Sequence, residues 1–196
     1  VPAMSRPDTA EAITEVAEGV YDLTLTRSPA RYRAFLFDWD RPTLVDCGPA
    51  PASETLLARL ETLDIPPERL VLTHADHDHV GGFDAVVDRY GPETYVPVQS
   101  TLDTDHEADH RYDHEAAVGP FTAVHVPGHC PDNYALVAPD RDLAVLGDAF
   151  DTPSGRVLEL HHVGSTAVPG LDAKPTLDVM VRVDGWPLDE VARKAL

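Results

Sequence analysis

Short runs of apolar residues separated by turn-forming residues run along most of the chain, and they predict a mixed α/β protein. Leucines at helical spacing follow Ser53 and predict a helix over 53–63. A second helical pattern over 83–90 ends at Gly91-Pro92. Outside these helices, short apolar and β-branched runs predict strands. The predicted strands lie at 20–25, 33–39, 43–46, 69–73, 94–98, 121–126, 133–138 and 142–147.

The patterns within these segments also suggest how the strands are connected. Residues 20–25 alternate between apolar and polar side chains, which is typical of an edge strand. Strands 33–39 and 43–46 flank Asp40-Arg41-Pro42, which predicts a hairpin. Strands that both form hairpins and alternate with helices predict an α/β protein with a mixed sheet.

A four-residue repeat stands between the predicted strands, in Asp105-His106, Asp109-His110 and Asp113-His114. On a helix this spacing would place three histidines on one stripe and three aspartates beside it. Such a stripe suggests a further metal-binding or pH-sensing face, or a lid that contributes one histidine to a substrate site. The simpler interpretation is a solvated helix on an acidic protein.

The densest group of potential metal ligands is His74-Ala-Asp-His-Asp-His79, which is followed by Gly81-Gly82. Imidazole nitrogen and carboxylate oxygen are donors that Zn²⁺, Fe²⁺ and Mn²⁺ accept. The group directly follows the predicted buried strand at 69–73. It therefore lies on a loop that a rigid sheet edge can position.

Two downstream segments each place one more ligand-type residue after an apolar strand. The first is Val126-Pro-Gly-His129, and the second is Leu143-Ala-Val-Leu-Gly-Asp148. A glycine before the ligand lets the backbone turn sharply, so that the side chain can enter a shared cleft. Together with the first group, these residues predict a metal site built at several strand ends.

These three motifs, with Val45-Asp46-Cys-Gly48 after the first hairpin, resemble the metal motifs of metallo-β-lactamase-fold hydrolases. The resemblance covers residues 16–150 and implies a metallo-β-lactamase-like αβ/βα sandwich with mixed sheets. It also implies two divalent metal ions as cofactors, with zinc expected first and iron or manganese as alternatives. Asp76 departs from the family's commonest motif, because a second histidine is usual there. A carboxylate at this position hardens the site and favours harder ions over zinc.

The resemblance assigns roles to the ligands. They are His74, Asp76 and His129 for the first metal, Asp78 and His79 for the second, and Asp148 as a bridge. The two ions would hold a hydroxide that attacks an ester, thioester, lactone, amide or phosphodiester in a small-molecule substrate. Asp78 would be catalytic as well, because it can orient the nucleophile and accept its proton. Asp46 would orient a ligand histidine through a hydrogen bond.

The last quarter of the chain resembles a different family. Residues 158–184 are similar to the opening part of GrpB-family domains, whose fold is nucleotidyltransferase-like. That resemblance implies that Gly164 and Ser165 hold phosphate and that Asp178 holds Mg²⁺. Met180 stands where a second carboxylate would be needed. The predicted segments are a lead-in at 1–15, a hydrolase-like domain at 16–150 and a partial GrpB-like segment at 151–196.

The second half of the hydrolase fold is predicted to be incomplete. The closing strands and the last histidine ligand expected after Asp148 have no clear match in the sequence, and His161 and His162 are the candidates for that ligand. The alternating valines of 179–183 predict that the GrpB-like segment packs against the hydrolase-like sheet. Residues 151–196 are thereby predicted to stay outside the catalytic machinery.

Three functional hypotheses follow from these motifs. The first is a metal-dependent hydrolase. The second is a metal-binding but inactive chimera, which the lack of turnover in metal-loaded protein would identify. The third is a nucleotide-handling protein that works through residues 158–184, and nucleotide-dependent stabilisation that survives loss of His74 would favour it.

The charge balance predicts a strongly acidic protein surface. The 196 residues carry a formal net charge of −19, and Lys174 and Lys194 are the only lysines. An acidic surface poor in lysine favours solubility at high salt, which predicts a cytoplasmic protein of a halophile. An ordinary acidic enzyme is the alternative. The same charge disfavours nucleic acid as a partner.

Membrane and cysteine patterns add two expectations. No apolar run approaches the roughly 20 residues of a membrane span, and no signal-peptide pattern opens the chain, so no membrane partner is expected. The two cysteines, Cys47 and Cys130, do not indicate a disulfide framework. Cys130 adjoins His129, so it lies either near the metal or in the protein interior as a small packing residue. The pattern does not predict an oligomeric state.

The halophile interpretation predicts that stability depends on salt. The Debye length, over which repulsion between carboxylates decays, is about 3 Å at 1 M salt and about 30 Å at 0.01 M. We therefore expect the melting temperature to rise steeply as KCl is added between these limits. Thermal melts at constant pH measure this, and a melting temperature that does not respond to salt would exclude the halophile interpretation.

Overall fold

Two β-sheets pack face to face, and helices cover the outer face of the first sheet. The computed structural model describes residues 13–26, 32–127, 129–141 and 143–148, together with the backbone of two later strands at 157–162 and 179–183. No helix in the described part of the chain is long and apolar enough to cross a bilayer.

The first sheet has seven strands in the order of the sequence. They are β1 Ile13–Ala17, β2 Val20–Thr24, β3 Arg33–Phe37, β4 Thr43–Val45, β5 Arg69–Val71, β6 Glu93–Pro97 and β7 His110–Tyr112. Strands β1 to β4 pair antiparallel, whereas β4 to β7 pair parallel. The expected mixed sheet and the hairpin between β3 and β4 are both confirmed.

The second sheet has six strands, all paired antiparallel, in the order β12-β13-β11-β10-β9-β8. They are β8 Ala117–Val118, β9 Phe121–His125, β10 Tyr134–Ala138, β11 Leu143–Val145, β12 Val157–His162 and β13 Val179–Val183. The helices are α1 Ser53–Leu63, α2 His77–Val80 and α3 Phe83–Tyr90. Both α1 and α3 span the residues predicted for them.

Both faces of the first sheet are buried, which explains its continuous apolar strands. On one face Phe37 and Val71 pack against the second sheet, where they meet Phe121 and Leu136. On the other face the leucines of β3, β4 and β5 pack against α1 and α3. Adjacent residues of one strand therefore enter two different cores. The sheet between these cores is a rigid support for the loops at its edge.

The parallel strands β4 and β5 end side by side, because Val45 pairs with Val71. Asp46 and the loop that begins at Leu72 therefore leave the sheet at the same edge. Tyr134 at the start of β10 donates its backbone N–H to the Thr73 carbonyl over 3.0 Å. This bond joins the two sheets where the predicted ligand loops emerge.

One prediction about the strands was wrong, and one strand was not predicted. Residues 20–25 were predicted to form an edge strand, but β2 lies between β1 and β3. The edge is formed by Ile13–Ala17, a strand that the sequence pattern did not predict because its apolar run is short. Pairing with β2 holds these residues in the extended conformation. The sequence of one segment does not show which other segment it will pair with.

The aspartate–histidine repeat does not form the predicted helix. His110–Tyr112 is β7, which pairs parallel with β6, and bends and turns flank it. Asp109 accepts hydrogen bonds from the backbone N–H and the hydroxyl of Thr94, at 2.9 and 2.8 Å. His110 bonds Glu93 at 2.8 Å. These side-chain hydrogen bonds to the neighbouring strand favour an extended conformation over the helix that the four-residue spacing suggests. Aspartate side chains often compete with helix formation in this way.

The C-terminal segment extends the second sheet. Strand β13 pairs with β11 through Leu143 and Arg182, Ala144 and Val181, and Val145 and Met180. Strand β12 then pairs with β13 at the edge. The backbone of 179–183 is therefore docked, as the alternating valines predicted. The proposed division between 16–150 and 151–196 stays a prediction.

A close approach of two loops depends on Gly81. A Cβ built at this position would lie 2.6 Å from the carbonyl carbon of Pro49 and would overlap the backbone nitrogen of Ala50. Because both contacts are backbone, neither can rotate away. We expect Gly81→Ala to lower the free energy of unfolding by about 3 kcal/mol, measured by urea denaturation.

Gly91→Ala is the matched control for this prediction. Gly91 has a left-handed backbone, with φ +59, but a Cβ there would meet nothing within 4 Å. Its replacement should cost only the conformational penalty of about 1–2 kcal/mol. Equal losses in the two variants would show that the approach at Gly81 is not tight.

Candidate metal centre

Loops from both sheets bring the predicted ligands together. His74 and Asp76 follow β5, His79 lies in α2, His129 follows β9 and Asp148 follows β11. The side chains of His74, His79 and Asp148 are almost completely buried, whereas Asp76 and His129 are partly open to solvent. The cluster therefore has a closed base and an accessible rim.

The ligand atoms form two overlapping groups. One contains His74, Asp76, His129 and Cys130, and the other contains His74, His79 and Asp148; within each group the atoms lie within 4.8 Å of one another. Asp148 spans both, because its two carboxylate oxygens lie 3.2 Å from His79 Nε2 and 3.3 Å from His129 Nε2. This arrangement is compatible with the bridging role predicted for Asp148.

Asp46 fixes the orientation and tautomer of His79. Its carboxylate accepts the Thr73 backbone N–H at 2.8 Å and contacts His79 Nδ1 at 2.9 Å. A carboxylate only accepts hydrogen bonds, so His79 Nδ1 must carry a proton. When the ring is neutral, its lone pair is therefore on Nε2, on the side of Asp148. This is the orienting contact predicted for Asp46, and it is typical of metal-binding histidines.

The same carboxylate reaches His74 through Thr73. The Thr73 hydroxyl lies 2.9 Å from Asp46 Oδ2 and 2.9 Å from His74 Nδ1. Because the hydroxyl donates to Asp46, it can only accept from His74. His74 Nδ1 is therefore protonated and its lone pair lies on Nε2. One buried aspartate thus sets the tautomers of two candidate ligands.

His74 Nε2 supplies the test of whether the cluster fits a metal ion. This atom is buried and has no hydrogen-bond partner among the described residues. A buried nitrogen that lacks a partner is costly. Its lone pair lies among acceptor atoms, with the nearest Asp76 oxygen 4.0 Å away. A divalent cation would satisfy these acceptors together, so the residues present fit a metal.

Asn133 and Gly147 support the site and were not predicted. Asn133 is fully buried, and its side-chain oxygen accepts the backbone N–H of Asp148 at 3.3 Å. Gly147 has φ +56, and a Cβ there would lie 2.8 Å from that oxygen and 2.9 Å from the Thr73 hydroxyl. Only glycine lets Asp148 approach so closely. The Gly-Asp pair was visible in the sequence, but the contact with Asn133 was not.

Asp132 is a second residue that sequence reasoning missed. It accepts the Ser100 hydroxyl at 2.6 Å and the backbone N–H of Ala75 at 3.0 Å. Partial burial opposes its ionisation, but the hydrogen bonds from Ser100, Cys130 and Ala75 outweigh this and lower the pKa of Asp132. The charged carboxylate ties the turn after His129 to the loop that carries His74 and Asp76.

Some predicted residues remain untested. Asp78 is buried in α2, but neither ligand group contains it. Its neighbour His77 points outward, with 82% of its side chain exposed. The side chains of the seventh-ligand candidates His161 and His162 are not among the described parts of the chain. The residues of the predicted phosphate and Mg²⁺ site also lie outside the described residues; they are Gly164, Ser165 and Asp178.

The two buried histidines have opposite pKa shifts. Burial lowers the pKa of His74 to about 4, and the neighbouring His79 adds to this effect. Burial opposes the charged form of His79 as well, but Asp46 and Asp148 outweigh it and raise the pKa of His79 well above its usual range. His79 is therefore the ring at which a proton and a metal compete most strongly.

These shifts predict how chelator-treated protein responds to pH. The raised pKa of His79 contributes stability that is complete below the unfolded value of about 6.5 and is lost as pH rises through the raised value. The lowered pKa of His74 removes stability as pH falls from about 6.5 to about 4. We expect melting temperatures measured with chelator to decline on both sides of a maximum. A melting temperature that does not rise between about pH 4 and about pH 6.5 would contradict the shift of His74, and one that does not fall at any higher pH would contradict that of His79.

A family model described as the metallo-beta-lactamase superfamily matches residues 35–179. Two curated proteins named hydroxyacylglutathione hydrolase also match. The protein from Chromohalobacter salexigens is 33% identical over 123 residues, which cover 61% of this chain and 47% of that protein. The protein from Serratia proteamaculans is 38% identical over 120 residues, which cover 59% and 45%. This chain therefore matches about half the length of each.

Solved structures of low sequence identity share the fold. A metallo-beta-lactamase from Cronobacter sakazakii superimposes with a TM-score of 0.58 at 15% identity, over 73% of this chain and 64% of that one. At this identity the likeness establishes only the architecture. It agrees with the two packed sheets and with the loops that emerge at their shared edge.

Proposed function

Because this chain belongs to the metallo-beta-lactamase superfamily, we propose that it is a metal-dependent hydrolase of small thioesters. The observation that carries the proposal is the buried His74 Nε2, which has no hydrogen-bond partner among the described residues and lies within a cluster of carboxylates and imidazoles. Asp46 orients the rings of His74 and His79, through Thr73 and directly, so that Nε2 of each ring faces the cluster. An arrangement that directs Nε2 of both rings to one place before binding is what a metal site requires.

The proposed ligand assignment takes its members from the two groups and adds Asp78. His74, Asp76 and His129 would hold one ion, His79 and Asp78 would hold the second, and Asp148 would contribute to both. Divalent ions bound there would supply a water of lowered pKa and polarise the scissile carbonyl. Asp148 is suited to its place because one carboxylate oxygen faces each of two histidines.

The protein's own side chains then supply orientation and proton handling. Asp46 keeps Nδ1 of His79 protonated, so that Nε2 is the nitrogen that would bind the metal once its own proton is displaced. Asp78 is the proposed acceptor of the proton that the attacking water releases. The partly exposed Asp76 and His129 form the rim at which a substrate reaches the buried base. The chemistry therefore takes place where the two sheets meet.

A thioester is the substrate class that best matches the comparisons and the chemistry. The two curated relatives are named for hydrolysis of hydroxyacylglutathione, which is a thioester. A thiol leaving group has a pKa of about 8.5, so it departs as the anion without help from a strong acid. An amine or alkoxide would need a proton donor at the leaving atom. The net charge of −19 further disfavours nucleic acid as a substrate.

Turnover by metal-loaded protein tests the proposal. Protein reconstituted with zinc, iron or manganese is assayed on a hydroxyacylglutathione, an aryl ester, a lactone and a phosphodiester. We expect the highest kcat/KM with the thioester, and loss of that activity in His74→Ala but not in His106→Ala. A preference for the phosphodiester would overturn the substrate class. Metal binding without any turnover would favour the inactive chimera instead.

A further inference from the structure

Cys130 lies within the first ligand group, although the function proposed above does not use it. Its sulfur belongs to the set in which every ligand atom of His74, Asp76, His129 and Cys130 lies within 4.8 Å of the others. The side chain is a free thiol and is partly buried. It directly follows His129, so the same turn delivers an imidazole and a sulfur to one place.

A second, independent observation marks this place as a cation site. His74 Nε2 is completely buried and has no partner among the described residues, while Nδ1 of the same ring is held by Thr73. The unpartnered nitrogen is shared by the group that contains Cys130. A lone pair in this position suits a cation, and three further donor atoms lie around it.

We propose that Cys130 binds, as a thiolate, the metal ion that His74, Asp76 and His129 hold. The inference rests on the metal centre of the proposed function. Together with Asp148, which the proposed function shares between the two ions, the resulting set contains imidazole, carboxylate and thiolate donors, all of which zinc accepts. A thiolate is a soft ligand, so it counteracts the hardening effect of Asp76 and favours zinc over manganese.

The turn around Cys130 is anchored for this role. Asn133 donates its backbone N–H to the Cys130 carbonyl at 3.4 Å, which closes the turn. Asp132 ties the turn to Ala75 and Ser100, at 3.0 and 2.6 Å, and therefore to the loop that carries Asp76. The position of the sulfur is thus set by contacts that do not involve the metal.

Metal binding to this thiol is an exchange of a proton for the ion. The S–H bond breaks, the S–metal bond forms and the proton passes to solvent, so no oxidant or reductant is required. In the protonated state the thiol is hydrogen-bonded to Asp132. After the exchange, Asp132 keeps its donors Ser100 and Ala75, so its carboxylate is not left unsatisfied.

Cobalt(II) substitution tests the inference by spectroscopy, independently of activity. The full chain is titrated with Co²⁺, and two features of the spectrum are followed. Visible d–d bands report that a metal is bound, whereas a near-ultraviolet charge-transfer band reports a sulfur ligand. We expect both features in the wild type and in Cys47→Ala, and loss of only the charge-transfer band in Cys130→Ser. Zinc affinity should fall roughly a hundredfold in Cys130→Ser, with manganese affinity nearly unchanged.

The outcomes separate this inference from the proposed function. Visible bands without the charge-transfer band in the wild type, or a charge-transfer band that survives Cys130→Ser, would overturn the thiolate ligand and leave the hydrolase proposal standing. The absence of visible bands from every variant would overturn both. If Cys130→Ser does not fold, alkylation of Cys130 in the wild type decides, because bound zinc should slow it at least about tenfold. An equal rate with and without zinc would refute the inference.

Discussion

Replacing His129 by alanine is expected to remove most of the bound metal and to lower kcat/KM by a factor on the order of a thousand. Nε2 of His129 lies 2.8 Å from Asp76 and 3.3 Å from Asp148, so its loss removes the imidazole that links these two carboxylates. The melting temperature of metal-loaded protein should fall as well, because the free energy of metal binding adds to that of folding. Metal content, kcat/KM and thermal melts measure the three effects.

His106→Ala is the matched control for this prediction. The His106 ring is 40% exposed and pairs with Asp88 at 2.8 Å, away from the ligand groups. An exposed ion pair contributes little to stability. We expect metal content and turnover to stay at wild-type values in this variant. Unchanged metal stoichiometry in His129→Ala would refute the ligand assignment.

Asp46→Asn is expected to weaken metal binding by about 10–100-fold, although Asp46 contacts no metal in our assignment. An amide that keeps its oxygen toward Thr73 places its NH₂ group against His79 Nδ1. His79 must then accept at Nδ1 and carry its proton on Nε2, which blocks the nitrogen intended for the metal. Isothermal titration with zinc measures the loss.

The backbone should tolerate this substitution. Asp46 has φ +59, a left-handed conformation that asparagine adopts nearly as readily as aspartate. A fall in zinc affinity with little change in the melting temperature of chelated protein would therefore identify the effect as one on the ligands. Asp38→Asn, at an exposed position beyond β3, serves as the control. Zinc affinity equal to wild type in Asp46→Asn would show that His79 does not need this tautomer.

The sequence was sufficient to predict the parts of the fold that depend on local pattern. Helix α1 follows from leucine spacing, and the ligand loops follow from glycine and histidine placed directly after buried strands. His74, Asp76, His129 and Asp148 are brought together because those strands end at one edge. Their order in the sequence therefore carries information about their proximity in space.

Contacts between distant segments could not be predicted in this way. The strand Ile13–Ala17 is defined by its pairing with β2, and the predicted helix over the aspartate–histidine repeat is replaced by β7 because β6 offers an unpaired edge. Asn133 and Asp132 bond residues far away along the chain, at Asp148 and Ser100. The sequence around a buried asparagine or a turn aspartate does not indicate which residue it will bond.

The ligand groups draw on both sheets, with His74 and Asp76 from the first and His129 and Asp148 from the second. A bound ion would therefore clamp the two sheets together, and they could not separate without breaking bonds to it. The barrier to unfolding, rather than the equilibrium alone, would then depend on the ion. Metal-loaded protein should therefore survive a protease for longer than chelator-treated protein, because the bound ion slows the opening of the sandwich. Resistance to degradation would then depend on the same residues that we propose as metal ligands.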